Sequence, residues 1–233
     1  AYADYIGTGL NKYTYMSNGV ASTKEAYAKV ISDAQAVLDA KESSALTKAQ
    51  VAEYTTSVLD AFAGLVMNKP VVGEYYLIHN ITSETVPYLS SSATTNYVCT
   101  SGDANRSVFR LVEGNKLLNV AKNLYISSTL TDGHPVYTAN IDEAVSFDFI
   151  KSESHMAKYN IVFGADKYLY DWTGYDPTKV RVTSDRAHDR NQWTIEEVEA
   201  VEFNYVYKVG NATKIVPVSG FVGLPLPALQ NVP

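Results

Sequence analysis

The sequence predicts a mainly β protein that begins with an N-terminal α-helical hairpin. Three observations lead to this fold class: two amphipathic segments with capping signals before Pro70, a change of hydrophobic period from helical to alternating after it, and a threefold repeat of short strand patterns further on. With 233 residues, 46% of them hydrophobic, the chain is long enough for one or two domains with buried cores.

Two helices are expected between Ser22 and Met67. Each begins with a capping box, Ser22-Thr23-Lys24-Glu25 and Thr47-Lys48-Ala49-Gln50, whose hydroxyl can accept an early backbone N–H. Apolar residues then recur at steps of three and four, and they are Tyr27, Val30, Ile31, Ala34, Val37 and Leu38 in the first segment and Val51, Tyr54, Val58, Ala61, Phe62 and Leu65 in the second. The link 40–46 is short and polar, so residues 1–70 are predicted to form an antiparallel helical hairpin or small bundle that serves as a linker.

Three strand patterns each occur three times at similar intervals along the next part of the chain. They are Tyr88-Leu89-Ser90-Ser91, Tyr125-Ile126-Ser127-Ser128 and Tyr168-Leu169-Tyr170-Asp171, then the strands that start at Tyr97, Val136 and Val180, then the closing aromatics Phe109, Phe147 and Trp193. Each unit has room for four short strands. Fixed spacing of this kind is the signature of an internally repeated fold.

Twelve short strands in three units of four predict a β-trefoil over residues 71–199. Such a barrel, closed by three hairpins, leaves no open sheet edge, which accounts for strands rich in polar residues. The alternative is another closed or sandwiched all-β fold. Residues 200–233 are predicted as a β-hairpin with a turn at Gly210-Asn211 and a proline-containing tail, which together start a truncated β module.

Composition excludes several classes of function. The net charge is −6, with 19 Lys and Arg against 25 Asp and Glu, so a nucleic-acid partner is not expected. The single Cys99 cannot form an internal disulfide, and no apolar stretch is long enough for membrane insertion. Because the chain begins with Ala1, we expect it to be an excised part of a longer protein.

The strongest binding candidate lies in the third repeat. Asp171-Trp172-Thr173-Gly174-Tyr175-Asp176 follows a predicted strand, in a hairpin where side chains are exposed on a rigid scaffold. Sugar recognition needs an aromatic surface for the apolar face of a pyranose and a carboxylate to accept hydroxyl hydrogen bonds. Asp171, Trp172 and Tyr175 are therefore predicted to bind a glycan. The alternative is that Trp172 folds over the end of the barrel as packing.

Catalysis and metal binding find little support. A metal site at Asp185, His188 and Asp189 matches no established spacing, and a solvated loop is the better interpretation. Cys99 lies in a predicted strand, where a thiol is usually inert. The sequence lacks the usual motifs for a serine nucleophile, a phosphate-binding loop or a zinc protease. We expect no enzyme activity, no cofactor and no metal.

Several phrases carry a resemblance to a known family. Val72–Asn80, directly after the helical segment that ends Leu65-Val66-Met67-Asn68-Lys69-Pro70, and the closing Asn191–Val198 are similar to helical-linker and ricin-like β-trefoil accessory regions of secreted Bacteroidetes glycoside hydrolases and surface proteins. The family's Gln-x-Trp phrase is not kept, because the first and second units have Phe109 and Phe147 in the Trp position.

That resemblance implies a function and a location. It implies a non-catalytic, lectin-like carbohydrate-binding module of a larger glycan-degrading protein, secreted or held at a bacterial cell surface, with its signal peptide outside this chain. The expected partners are a polysaccharide or other glycan and the neighbouring domains of the parent protein. The alternative is a structural spacer or protein-interaction module with no glycan ligand.

Overall fold

The computed structural model describes residues 2–40, 47–176 and 178–225, and it confirms a mainly β fold with two N-terminal helices. Helix α1 spans Lys24–Ala40 and helix α2 spans Lys48–Ala63. The predicted capping box at Thr47 is present, since its hydroxyl accepts from the Gln50 N–H at 3.3 Å and the Gln50 side chain accepts from the Thr47 N–H at 3.0 Å. The first helix is capped one residue later than predicted: Ser22 lies in a strand, and Thr23 caps α1 by accepting from the Ala26 N–H at 3.1 Å.

The predicted link between the helices falls mostly outside the described residues, as do Ala1 and the tail 226–233. Neither described helix is long and apolar enough to cross a lipid bilayer.

A small sheet, which the sequence did not predict, accompanies the helices. It consists of β1 (Tyr13–Ser17), β2 (Val20–Ser22) and β3 (Leu65–Met67) in the order β2-β1-β3. Leu65, expected on the stripe of the second helix, therefore lies in a strand paired with Tyr15. The helix ends because the chain turns at Gly64, whose carbonyl accepts from the Met16 N–H at 2.8 Å. A Cβ at Gly64 would overlap the Met16 carbonyl oxygen.

Twelve strands, β4 to β15, form the predicted β-trefoil. Their bounds are Tyr75–Asn80, Tyr88–Ser91, Val98–Ser101, Phe109–Val112, Lys116–Asn119, Leu124–Thr131, His134–Thr138, Phe147–Lys151, Tyr159–Phe163, Lys167–Asp171, Val180–Thr183 and Trp193–Val198. In each unit of four, the first and fourth strands build the barrel and the second and third form a hairpin. The alternative of a sandwich is excluded by this pairing.

Backbone pairing closes the barrel. Antiparallel pairs join β4 to β7, β7 to β8, β11 to β12, β12 to β15 and β15 to β4. The remaining gap, between β8 and β11, is bridged by a hydrogen bond of 2.8 Å from the Phe147 N–H to the Asn115 carbonyl. The hairpins are β5–β6, β9–β10 and β13–β14.

The repeat seen in the sequence corresponds to equivalent positions in the core. Leu89, Ile126 and Leu169, the second residues of the three matching strand patterns, are all fully buried. The closing aromatics Phe109, Phe147 and Trp193 are buried as well. Interior-facing side chains from all three units thus fill one barrel, which is how a small closed sheet excludes water.

The N-terminal segment packs directly on the trefoil. Asn11 has a φ of 55°, and its side-chain amide forms two hydrogen bonds with the backbone of Ile195, as a neighbouring strand would. Nδ2 donates to the Ile195 carbonyl at 2.8 Å, and Oδ1 accepts from the Ile195 N–H at 3.1 Å. The Tyr159 hydroxyl accepts from the Asn11 N–H at 3.0 Å. One hydrophobic cluster runs from Tyr13 and Tyr27 into the barrel. The boundary at residue 70 stays a prediction, and contacts across it are extensive.

The C-terminal hairpin follows the last trefoil strand. Strands β16 (Ala200–Val209) and β17 (Ala212–Phe221) pair with each other along their full length. Phe221 packs against Tyr75 with ring centroids 5.2 Å apart, which ties the base of the hairpin to the barrel. That this hairpin starts a further β module stays a prediction.

Candidate functional site

A cleft of about 500 Å³ opens beside the third hairpin, formed by β13 and β14. Its wall includes Tyr170, Trp172, Arg181, Thr183, Asp185 and His188. Tyr170 lies opposite Arg181 in the strand register, so the two-stranded ladder itself brings an aromatic ring and a guanidinium to one place. The cleft therefore combines ring surface with donors and acceptors of hydrogen bonds.

Asp171 is placed differently from the expectation. It is only 2% exposed, and its carboxylate is used inside the protein. Oδ1 accepts from the N–H of Thr173 at 2.9 Å and from the Thr173 hydroxyl, while Oδ2 accepts from the Thr82 hydroxyl at 3.2 Å. The carboxylate is therefore not exposed in the way that the sequence predicted for a sugar-binding group. Asp171 instead holds the turn that carries Trp172 and Tyr175.

The two predicted aromatic residues do lie together. Their rings stack with centroids 4.2 Å apart and an interplanar angle of 23°. Tyr175 is 71% exposed, whereas Trp172 is half-buried and also contacts Tyr170 and His134. Trp172 is thus a part of the cleft wall that packs against neighbouring rings, and Tyr175 supplies most of the exposed aromatic surface of the pair. Trp172 packs against other rings, as the alternative interpretation expected, and it also lines the cleft.

Two arginines flank this aromatic pair. The guanidinium of Arg181 stands 4.7 Å from the centre of the Trp172 ring, and that of Arg190 stands 5.4 Å from the centre of the Tyr175 ring. Gly174 makes room for Arg190, because a Cβ at that position would overlap the guanidinium. Burial raises the pKa of the Tyr170 hydroxyl, and the nearby positive charge of Arg190 partly offsets that effect.

The loop behind the cleft is held by buried amides. The Gln192 side chain donates to the carbonyls of Arg186 and His188, at 3.3 Å and 3.2 Å. The Asn80 side chain donates to the Arg190 carbonyl at 2.9 Å. His188 caps the short turn Asp189–Asn191, with Nδ1 accepting from the Arg190 N–H at 3.1 Å. The backbone that carries His188 and Arg190 is therefore well anchored.

The alternative of a metal site at Asp185, His188 and Asp189 finds no geometric support. His188 uses Nδ1 on the backbone, and Asp189 lies 3.6 Å from His155. Across the part of the chain that the structure describes, no three His, Cys, Asp or Glu side chains are grouped to hold a metal ion.

Cys99 lies on β6, where it is only 5% exposed. Burial raises the pKa of its thiol to about 11, although Arg106 and Lys122 act in the opposite direction. A thiol with such a pKa is almost wholly protonated at neutral pH and is a poor nucleophile.

We expect iodoacetamide to label Cys99 of the native protein at pH 8 at least about a hundredfold more slowly than it labels the unfolded chain, because both burial and the raised pKa remove reactive thiolate. Mass spectrometry after timed quenching, with the same protein in guanidinium chloride as the control, measures the ratio. Native labelling as fast as in denaturant would show an accessible, activated thiol.

Two larger cavities lie elsewhere. One of about 770 Å³ runs along the helices and is mostly apolar, and one of about 580 Å³ lies between Tyr75 and the C-terminal hairpin. Neither has an exposed stacked aromatic pair beside polar groups, so the cleft of the third repeat remains the best candidate for sugar recognition.

Sequence reasoning missed Arg181 and Arg190. Arg181 sits one residue after the start of β14, and alternation along a paired strand could have placed it on the face of Tyr170. Arg190 carried a weaker signal, since its place beside Tyr175 depends on the fold of the loop before Trp193.

No protein-family model matches the sequence, and a search of curated proteins also finds no match. Among solved structures, the chain is similar to a GlcNAcα1-4Gal-releasing endo-β-galactosidase from Clostridium perfringens, with 13% identity, a TM-score of 0.45, and coverage of 54% of this chain and 33% of that one. It is also similar to the BEL β-trefoil, with 16% identity, a TM-score of 0.46, and coverage of 56% and 97%. The chain thus spans about a third of the first protein. The pairing of strands β4 to β15 is what establishes the β-trefoil.

Proposed function

We propose that this chain is a non-catalytic carbohydrate-recognition region and that the cleft of its third repeat binds the sugar. The observation that carries the proposal is the stacked pair formed by Trp172, which lines a polar cleft, and Tyr175, whose ring is exposed beside it. An aromatic ring packs against the apolar face of a pyranose, and neighbouring polar groups then fix its orientation.

Polar groups for that second task stand close by. Asp185 and Thr183 line the cleft, and Asp185 is exposed, so its carboxylate can take the role that the sequence had assigned to Asp171. Arg181 adds N–H donors. These groups accept from and donate to sugar hydroxyls without any rearrangement of the hairpin.

A single shallow site of this kind binds weakly when isolated. In a larger secreted or surface protein, weak binding suffices, because a tethered catalytic domain gains from the raised effective concentration of polysaccharide. We propose that the chain belongs to such a multidomain glycan-degrading protein at or beyond the bacterial surface.

We expect Tyr175→Ala and Trp172→Ala each to weaken glycan binding by about tenfold or more, because each removes ring surface from the site. A glycan array identifies a ligand for the intact chain, and isothermal titration calorimetry then measures the affinity of each variant. Tyr175→Ala is the cleaner variant, since that side chain is 71% exposed and its removal should leave folding intact.

Tyr205→Ala is the matched control. Tyr205 is 44% exposed on the C-terminal hairpin, so the same truncation is made outside the cleft and should leave affinity unchanged. A glycan signal that survives both cleft substitutions would refute the site. No signal for the intact chain on a broad array would favour the rival function, a spacer or protein-interaction module.

A further inference from the structure

Arg181 in the cleft wall and Arg190 beside Tyr175 both place a guanidinium against the aromatic pair. Within the described ranges, neither the Arg181 nor the Arg190 guanidinium forms an ion pair with a carboxylate. Nη1 of Arg190 is also buried without a hydrogen-bond partner among those residues.

Comparison with the first repeat shows how the surroundings of Arg190 differ from those of the equivalent arginine. Arg106 and Arg190 occupy equivalent positions, three residues before Phe109 and Trp193, and the carbonyl of each accepts from a buried Asn, at 2.8 Å from Asn119 and 2.9 Å from Asn80. Their guanidinium groups have different surroundings.

The difference comes from the residue that caps the short turn. In the first repeat this is Asp103, and its carboxylate accepts from Nε of Arg106 at 2.9 Å. In the third repeat it is His188, whose Nδ1 accepts a hydrogen bond from the Arg190 backbone N–H. A neutral histidine in this position offers no anion, so this turn supplies no carboxylate to Arg190, whose guanidinium lies near the Tyr170 hydroxyl.

Carboxylates near the cleft are engaged elsewhere, except for Asp185. Asp176 lies 3.4 Å from Lys179, and Asp189 lies 3.6 Å from His155. Asp185 accepts from the Ala187 N–H at 3.0 Å and lines the cleft on the side of His188. Against this single carboxylate stand the two guanidinium groups that flank Trp172 and Tyr175.

From this arrangement we infer that the ligand is an anionic glycan, whose carboxylate or sulfate group is bound by Arg181 and Arg190 while its ring packs on the Trp172–Tyr175 pair. A guanidinium held against an aromatic ring is preorganised for planar recognition of such oxyanions. This inference rests on the proposed function and adds the chemical class of the sugar.

The test uses three forms of one polysaccharide with the full chain. Chondroitin sulfate carries both anions, chemically desulfated chondroitin keeps only the carboxylates, and desulfated, carboxyl-reduced chondroitin is neutral. We expect calorimetry to show at least about tenfold weaker binding of the neutral form, and the desulfated form distinguishes carboxylate from sulfate as the source of the charge. Raising NaCl from about 50 mM to about 500 mM should weaken binding of the charged forms only.

Variants locate the charge. Arg181→Gln and Arg190→Gln should each lower affinity for the charged form by about tenfold and bring it towards that of the neutral form. Gly174→Ala, which keeps both charges but displaces Arg190, should produce a smaller loss. Arg110→Gln is the matched control, because Arg110 also lies over a tyrosine, 5.4 Å from Tyr75, but on the barrel wall outside the cleft.

The outcomes separate this inference from the proposed function. Equal affinity for charged and neutral forms, unchanged by Arg181→Gln, would overturn the inference and leave glycan recognition standing. Binding of neutral glycans alone on the array would do the same. Failure of every glycan to bind, charged or neutral, would overturn both.

Discussion

Trp193→Ala is expected to destabilise the protein by about 4 kcal/mol, which is a large part of the stability of a typical domain. Trp193 is fully buried at the end of the third repeat, and its indole N–H donates to the Leu169 carbonyl at 3.1 Å. Truncation leaves a cavity in the barrel and an unpaired carbonyl, and the two costs add. Urea unfolding followed by circular dichroism measures the change.

Trp193→Phe provides the matched control. The equivalent positions of the other two repeats hold Phe109 and Phe147, both buried, so a phenylalanine is compatible with this place in the barrel. We expect a loss of about 1 to 2 kcal/mol, from the smaller ring and the missing indole hydrogen bond. If Trp193→Ala were no worse than Trp193→Phe, the indole would not be filling the core as described.

Asp171→Ala is expected to cost about 2 to 3 kcal/mol and to weaken glycan binding, although Asp171 does not line the cleft. Its carboxylate receives the Thr173 N–H and the hydroxyls of Thr173 and Thr82, and those donors would lose a charged acceptor. The Thr173 hydroxyl also lies 2.7 Å from that of Thr100, so this network joins the third hairpin to the first. Loss of the network frees the turn that positions Trp172 and Tyr175.

Asp176→Ala separates burial from local hydrogen bonding. Asp176 also accepts from the N–H and hydroxyl of the residue two places on, Thr178, with its N–H at 2.9 Å. It is more exposed than Asp171, and it pairs with Lys179 near the surface. We expect less than about 1 kcal/mol from this substitution, because solvent replaces the lost acceptor. Equal losses of unfolding free energy for the two variants would mean that the buried network around Asp171 stabilises the protein no more than the exposed hydrogen bonds of Asp176 do.

The helices and the trefoil were predictable because their signals are local and repeated. The capping box at Thr47 follows from a four-residue motif. The three buried positions Leu89, Ile126 and Leu169 follow from the regular spacing of the repeat. The strand that begins at Leu65 was not predictable, because a segment of three residues directly after a helix is too short to show an alternating hydrophobic pattern. Its pairing with Tyr15 depends on a chain reversal at Gly64 and on contact with residues far away in sequence.

The candidate site shows the same division. The aromatic pair Trp172 and Tyr175 was found from the sequence, since residues this close in a turn necessarily lie near each other. The burial of Asp171 was not predicted, because it depends on packing against Thr82, 89 residues earlier in the chain, as well as on the local bonds from Thr173. Arg190 was missed, because its approach to Tyr175 depends on the packing of a loop from a different strand connection.

The sequence by itself determined the class of fold and the threefold repeat, and it predicted the stacking neighbours Trp172 and Tyr175 in one turn, because periodicity and local turn chemistry act over a few residues. Only the tertiary structure decided which acidic group is buried, how the N-terminal segment docks through Asn11, and which arginines are left without a carboxylate. These depend on contacts between residues up to 184 positions apart, and no local pattern specifies which distant groups burial will bring together.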